Sequence, residues 1–84
     1  MFKVMIVDDS PYVLQYVCNL IDWENFDFIL TGSYTNAHSL LADAAKDMPD
    51  AVITDITMPV INGIELATEL YTLNPDIKNI FISS

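Results

Sequence analysis

With 84 residues and a formal net charge of −9, the chain has enough material for one small domain and carries no arginine. Three lysines cannot form the basic face that nucleic-acid backbones require, which excludes direct nucleic-acid binding by this segment. The single cysteine, Cys18, excludes an internal disulfide and favours a reducing, cytoplasmic location. The first apolar run breaks at Asp8, too early for a signal peptide or a membrane span.

The first half of the chain predicts two strand-helix units. Residues 3–7 are a short apolar run, typical of a strand that is buried on both faces. Ser10 before a proline predicts a helix start, because serine caps a helix and proline fits its first position. A second strand is predicted over residues 28–32, and Asn36 is expected to cap a helix that ends near residue 46.

The second half continues the alternation, which is typical of a parallel sheet covered by helices. Residues 51–54 predict a third strand that ends at Asp55, and residues 80–82 predict a fourth. A loop with proline and Asn-Gly separates the third strand from a helix. The residues predicted on the buried side of that helix are Ile64, Ala67, Leu70, Tyr71 and Leu73.

Three carboxylates follow predicted strands: Asp8 and Asp9 follow the first, and Asp55 follows the third. Open α/β sheets bind ligands at the carboxyl ends of their strands, near a topological switch point. If strands one and three are neighbours, the acids converge, and protonation or a divalent cation must relieve their repulsion. Taken alone, Asp8 and Asp9 also fit a polar strand end that caps a helix. Together with Asp55 they predict a pocket of oxygen ligands that suits Mg²⁺.

Three stretches resemble the receiver domain of two-component response regulators: VDDS after the first strand, TDITMPVING around Asp55, and FISS at the fourth strand. The resemblance spans the whole chain. It implies a flavodoxin-like, doubly wound parallel α/β sheet, with the strand order 2-1-3-4-5 carried over from that fold. The segment IDWENFDFILTG further resembles receivers that are joined to an AraC-type DNA-binding domain. Transcriptional regulation by an intact parent protein is therefore expected.

The resemblance also implies a chemical role for each acid. Asp55 is the expected phosphoacceptor, which receives its phosphoryl group from a sensor histidine kinase. Asp9 and Asp55 are expected to bind Mg²⁺ directly, and Asp8 through a water molecule or as a positioning acid. Thr57 is expected to offer its backbone carbonyl to the metal. A carboxylate and a phosphoryl group are both negative, so a cation must bridge them before they can react.

A switch residue and a domain boundary follow from the same resemblance. Ser83 corresponds to the hydroxyl residue that hydrogen-bonds a phosphoryl oxygen and moves with it. Family members continue with a helix, a fifth strand bearing a lysine, and a last helix. Residues 1–84 are therefore expected to be the N-terminal portion of the domain, ending after the fourth strand. That strand would be an exposed edge, so self-association through it or the uncovered surface beside it is expected. The residues expected to shape the loop are Met58, Pro59 and Gly63.

Two other functions remain open. A haloacid-dehalogenase-type phosphohydrolase also uses an aspartate at a strand end, but such an enzyme requires a second acid where this chain has Thr57. A receiver-like scaffold that dimerises without phosphorylation is the other. The favoured interpretation is a phosphoryl acceptor with no turnover of its own. His38, near a predicted helix start without a second histidine nearby, is predicted to be a surface residue.

Overall fold

A computed structural model describes residues 1–82, and all the predicted strands and helices are present. The elements are β1 (Phe2–Val7), α1 (Pro11–Leu20), a short 3-10 turn (Glu24–Phe26), β2 (Phe28–Tyr34), α2 (Ala37–Lys46), β3 (Ala51–Asp55), α3 (Gly63–Leu73) and β4 (Lys78–Ile82). All four strands are longer than predicted: β1 and β3 by one residue each, and β2 and β4 by two, because β2 continues to Tyr34 and β4 begins at Lys78. Among residues 1–82, no helix is long and apolar enough to cross a membrane.

The four strands form one parallel sheet in the order β2-β1-β3-β4. This order agrees with the first four strands of the predicted flavodoxin-like sheet. Val7 of β1 lies opposite Thr54 of β3, so the two central strands end at the same level. The residues that follow them therefore meet at one edge of the sheet, which we call the carboxyl edge. The opposite edge, where the strands begin, is the amino edge.

Helices cover both faces of the sheet, but unequally. On one face, α2 and α3 pack against β1 and β3, and Leu40, Leu66 and Leu70 are fully buried there. On the other face, α1 packs alone, with Leu14 as its buried residue. An apolar groove of about 420 Å³ lies open beside α1. The groove is lined by Val4, Ile21, Trp23, Phe26, Phe28, Ala51, Ile53, Lys78 and Ile80.

The predicted buried side of α3 was partly wrong. Leu70 is buried and Ala67 is partly buried, but Ile64, Tyr71 and Leu73 are exposed. Leu66, which the prediction omitted, is fully buried. The helix carries two overlapping apolar stripes with the same spacing, so periodicity alone cannot choose between them. The observed rotation places Leu66 and Leu70 in the core.

Helix starts follow the predicted capping. Ser10 caps α1, and its side chain accepts a hydrogen bond from the backbone of Val13 at 3.4 Å. Asn36 caps α2, and its side-chain oxygen accepts one from the backbone of Ser39 at 2.9 Å. Both helices begin directly above the carboxyl edge. The caps therefore fix the chain where it leaves β1 and β2, next to the predicted site.

Candidate functional site

The three predicted acids converge at the carboxyl edge. Each of Asp8, Asp9 and Asp55 offers one carboxylate oxygen, and these three oxygens lie within 4.8 Å of one another. The cause is the sheet order, because β1 and β3 are hydrogen-bonded neighbours that end at the same level. Two stretches separated by more than 40 residues thus meet in one cluster.

The cluster is partly buried. Asp8 is 5% exposed and Asp55 is 8% exposed, whereas Asp9 is open to solvent. Desolvation by burial raises the pKa of Asp8 above its ordinary value, and the hydrogen bond from the backbone of Ser10 opposes this rise. The nearby carboxylates of Asp55 and Asp9 raise the pKa of Asp8 further. The site therefore disfavours its own negative charge and would gain from a bound cation.

Backbone groups hold the two buried carboxylates in place. The backbone amide of Ser10 donates to Asp8 Oδ1 at 2.9 Å, and the amide of Asp8 donates to the carbonyl of Tyr34 at 3.1 Å. The backbone amide of Thr57 donates to Asp55 Oδ1 at 3.2 Å. The bonds from Ser10 and Thr57 hold each carboxylate against the backbone two residues later. The turns after β1 and β3 therefore determine the geometry of the cluster.

The loop after β3 contains the predicted shaping residues. Met58 is buried in the core beneath α2 and α3, while Pro59 is exposed. At Gly63, a Cβ atom would lie 2.5 Å from the backbone oxygen of Asp55, closer than real Cβ contacts allow. The glycine lets the start of α3 lie directly against the end of β3. This contact returns the chain to the end of β3 after a loop of seven residues, 56–62.

Two features of the same loop were not predicted. Asn62 caps α3, and its side chain and that of Glu65 exchange hydrogen bonds with each other's backbone amides at 2.9 and 3.2 Å. The signal was present, because asparagine three residues before glutamate is a capping-box pattern. Val60 has a φ of 68°, a left-handed conformation that is unfavourable for a β-branched residue. Nothing in the local sequence indicates that conformation.

Two further site residues were predicted, Thr57 and Ser83. Thr57 is exposed in the loop, and the predicted role of its carbonyl oxygen stays a prediction. Ser83 lies outside the described residues. The residue before it in the sequence, Ile82, pairs with Asp55 in the sheet.

The acid cluster fits Mg²⁺. Magnesium prefers six oxygen ligands at about 2.1 Å, so oxygens on opposite sides of the ion lie about 4.2 Å apart. The three oxygens lie within 4.8 Å of one another, close enough for their residues to hold one ion directly or through its water molecules. The exposed position of Asp9 leaves the open side of the cluster to water, which magnesium retains in most protein sites.

Comparison with known proteins identifies a family. The family model for the response regulator receiver domain matches residues 4–84. The chain is 30% identical over 82 residues to the chemotaxis protein CheY of Thermotoga maritima, covering 98% of this chain and 67% of that protein. It is also 30% identical over 83 residues to the uncharacterized transcriptional regulatory protein YesN of Bacillus subtilis.

A solved structure supports the fold. The chain matches a two component transcriptional regulator AraC from Clostridium phytofermentans with a TM-score of 0.93 and 29% identity. The match covers 99% of this chain and 64% of that one. For YesN, the match covers 99% of this chain and 23% of the relative. The chain thus spans about a quarter of the length of that curated relative. The structural match confirms the predicted flavodoxin-like receiver fold.

Proposed function

Because the chain belongs to the response regulator receiver domain family of two-component systems, we propose that it accepts a phosphoryl group on Asp55. The observation that carries the proposal is the cluster of three carboxylate oxygens within 4.8 Å at the carboxyl edge. Asp55 ends β3 and is held by a backbone hydrogen bond from Thr57. Such a fixed carboxylate beside two others is suited to metal-assisted attack on phosphorus.

In the proposed reaction, a carboxylate oxygen of Asp55 attacks the phosphorus of a phosphohistidine on a sensor histidine kinase. A P–O bond forms as the P–N bond breaks, and the leaving imidazole takes up a proton. Asp9 and Asp55 would hold Mg²⁺ directly, Asp8 through water, and Thr57 through its carbonyl oxygen. When bound, the ion neutralises charge shared by the carboxylates and the phosphoryl oxygens. The chain itself performs no turnover.

The phosphoryl signal would then reach an output domain in an intact regulator. Phosphorylation adds about −1.5 to −2 charges and new acceptor oxygens at one point. We propose that the hydroxyl of Ser83 follows those oxygens and shifts the end of β4. Relatives named as transcriptional regulators support a role in transcriptional regulation, and we propose that it acts through a DNA-binding domain of the AraC type in a cytoplasmic protein. Ser83→Ala should reduce any phosphorylation-dependent change in structure, and full retention would remove the switch role.

Mass spectrometry tests the phosphoacceptor proposal. We expect incubation with Mg²⁺ and a small phosphodonor to add the mass of one phosphoryl group. Asp55→Asn should abolish the gain, because an amide cannot act as this nucleophile. The matched control is Asp47→Asn, an exposed aspartate at the amino edge, which should be modified like the unaltered chain.

Other outcomes would favour the competing functions. Sustained hydrolysis of a phosphate ester would indicate a phosphohydrolase of the haloacid-dehalogenase type. Absence of any mass gain in the unaltered chain, with Mg²⁺ binding intact, would contradict the phosphoacceptor proposal. It would favour a receiver-like scaffold that works by association alone.

Association has its own structural support. Among residues 1–82, strand β4 has a sheet neighbour on one side only, and its Ile80 is 50% exposed and lines the open apolar groove. Unpaired strand edges with apolar side chains invite pairing with another chain. We propose that a second copy pairs with β4 and covers part of the groove.

Sedimentation at increasing concentration tests this pairing. We expect reversible dimers that Ile80→Glu disrupts, because it places charge at the proposed contact. Ile64→Glu is the control, since Ile64 is similarly exposed on α3 at the opposite face. A chain that stays monomeric at high concentration would contradict the proposal.

A further inference from the structure

Tyr34, the last residue of β2, connects three elements beside the acid cluster. Its backbone carbonyl accepts a hydrogen bond from the amide of Asp8 at 3.1 Å. Its hydroxyl donates to Asp43 Oδ2 of α2 at 2.8 Å. Tyr34 is therefore bonded through its backbone to a residue of the acid cluster, and through its side chain to the helix that begins next to that cluster.

A β-bulge in β2 directs the Tyr34 side chain towards α2. The pairing with β1 skips Thr31, so that Leu30 lies opposite Val4 and Gly32 lies opposite the next residue of β1. Leu30 packs on the face of the sheet that α1 covers, whereas Tyr34 packs against the core beneath α2 and α3. Side chains alternate between the faces of a regular strand, so these two residues would share a face without the extra residue.

Gly32 provides the space in which the Tyr34 ring lies. A Cβ atom at Gly32 would overlap the hydroxyl of Tyr34 and lie 2.6 Å from the ring carbon that bears it. A larger residue would therefore push the ring away from β2. Desolvation by burial and the hydrogen bond to Asp43 raise the pKa of Tyr34 to about 12, so its hydroxyl remains a donor at neutral pH. The bulge, the glycine and the hydrogen bond all favour the same position of the ring.

Helix α2 borders the acid cluster. Asn36 and the exposed His38, at the start of this helix, line a cavity of about 100 Å³ together with Asp9. The amide of Asp8 is bonded to the end of β2, where Tyr34 lies. Movement of the β2 end or of α2 would therefore change the position of Asp8 and of the wall beside Asp9.

We propose that Tyr34 is a positioning residue for the metal site: by bonding β2 to α2 through Asp43, it holds the backbone carbonyl that orients Asp8. This inference rests on the proposed binding of Mg²⁺ by the acid cluster, and it adds a residue that lies outside that cluster. Loss of a residue that holds a metal ligand in place typically lowers metal affinity about 10–100-fold. The hydroxyl of Tyr34 acts at a greater distance from the ion, so we expect a loss of about three- to tenfold.

Isothermal titration calorimetry with Mg²⁺ tests the proposal. Tyr34→Phe keeps the ring and the backbone carbonyl but removes the hydroxyl, and it should weaken binding about three- to tenfold. Asp43→Ala and Asp43→Asn remove the same charge, but only asparagine keeps an oxygen that can accept the bond. Asp43→Ala should therefore weaken binding as Tyr34→Phe does, whereas Asp43→Asn should stay within about twofold of the unaltered chain.

Leu41→Ala is the control for a general loss of stability. Leu41 packs against the same core from α2 and takes no part in the bond between Tyr34 and Asp43. At a temperature where every variant is folded, Leu41→Ala should bind Mg²⁺ like the unaltered chain. The proposal would be overturned by unchanged binding in Tyr34→Phe, by an equal loss in Leu41→Ala, or by an equal loss in Asp43→Asn and Asp43→Ala.

Amide hydrogen exchange in metal-free buffer separates this proposal from the proposed metal site. The Asp8 amide should exchange about tenfold faster in Tyr34→Phe, relative to the amide of Ile53 in the central strand β3, because the end of β2 opens locally. Faster exchange in a chain that binds no Mg²⁺ would retain the positioning of Asp8 and reject the metal site. Mg²⁺ binding with unchanged exchange would do the reverse.

Discussion

The two edges of the sheet differ in how their charged side chains are arranged. At the amino edge, Lys3 Nζ lies 2.6 Å from Asp47 Oδ1, and the backbone amide of Lys3 donates to Asp50 Oδ2 at 2.7 Å. The hydrogen bond and the charge of Asp47 raise the pKa of Lys3. At the carboxyl edge, three carboxylates face one another, and His38 is the only potential cation in the described range.

At the amino edge a neighbouring side chain neutralises the charge of Lys3, whereas at the carboxyl edge a bound cation would have to neutralise the carboxylates. At the amino edge Lys3 is paired with Asp47, and this pair contributes little to stability because it is exposed. Like charges at the carboxyl edge cost stability in the absence of a cation. Such a cost persists where the same arrangement is needed for binding or chemistry. Three substitutions test whether the carboxyl edge is the strained and functional one.

Gly63→Ala should have the largest effect. The added methyl group would lie 2.5 Å from the backbone oxygen of Asp55, so α3 or the end of β3 must move. We expect a loss of about 1–3 kcal/mol in the free energy of unfolding, the range typical of overpacking. Mg²⁺ affinity should fall as well, because Asp55 shifts. Urea unfolding and isothermal titration calorimetry measure the two effects.

A control on the same helix makes the result specific. Thr68→Ala changes an exposed position of α3 whose hydroxyl bonds only to the carbonyl of Ile64. It should alter stability by less than about 0.5 kcal/mol, as is usual for surface substitutions. If Gly63→Ala is equally harmless, close packing of α3 against β3 does not hold the loop at the site.

Asp8→Asn should raise stability in magnesium-free buffer near neutral pH. Burial and the neighbouring acids raise the pKa of Asp8 in the folded chain, so the folded state binds its proton more tightly than the unfolded state does. Ionisation of Asp8 therefore costs stability as the pH rises from the ordinary carboxyl value of 3.8 through the folded pKa. Asparagine removes that cost and can still accept the bond from Ser10. Each kcal/mol gained raises Tm by about 4–8 °C in a domain of this size.

The controls for Asp8→Asn are the pH dependence of its Tm and a matched substitution at the amino edge. The gain in Tm should shrink as the pH falls towards 3.8 and vanish well below it, where Asp8 is protonated in both states. It should also shrink with added Mg²⁺, because the proposed ion should stabilise the unaltered chain and bind the variant less well. Asp47→Asn breaks an exposed pair at the amino edge and should leave Tm almost unchanged. A loss of stability in Asp8→Asn at neutral pH would contradict unrelieved repulsion at the carboxyl edge.

The sequence predicted which elements and acids form the carboxyl edge, but not the backbone contacts and conformations within it. Alternating apolar runs and caps predicted every strand and helix, and the acids after the first and third strands predicted the cluster. The buried side of α3 was partly wrong because two apolar stripes share one spacing. The role of Gly63 in close packing and the conformation of Val60 depend on where distant backbone lies. Local sequence carries no signal for such contacts.

Val60→Gly should have the smallest effect, and it extends the comparison to the backbone. Val60 is 84% exposed, so glycine at this position loses little packing. Its left-handed φ of 68° costs about 1–3 kcal/mol in a residue other than glycine, and the substitution relieves that cost. Glycine also gains freedom in the unfolded chain, which offsets part of this, and we expect a net stabilisation of about 0.5–1 kcal/mol in urea unfolding. Asp27, before β2 at the amino edge, has a similar φ of 64°, but aspartate tolerates this conformation. Asp27→Gly should therefore gain less than Val60→Gly, and an equal or larger gain would mean that backbone strain is not concentrated at the carboxyl edge.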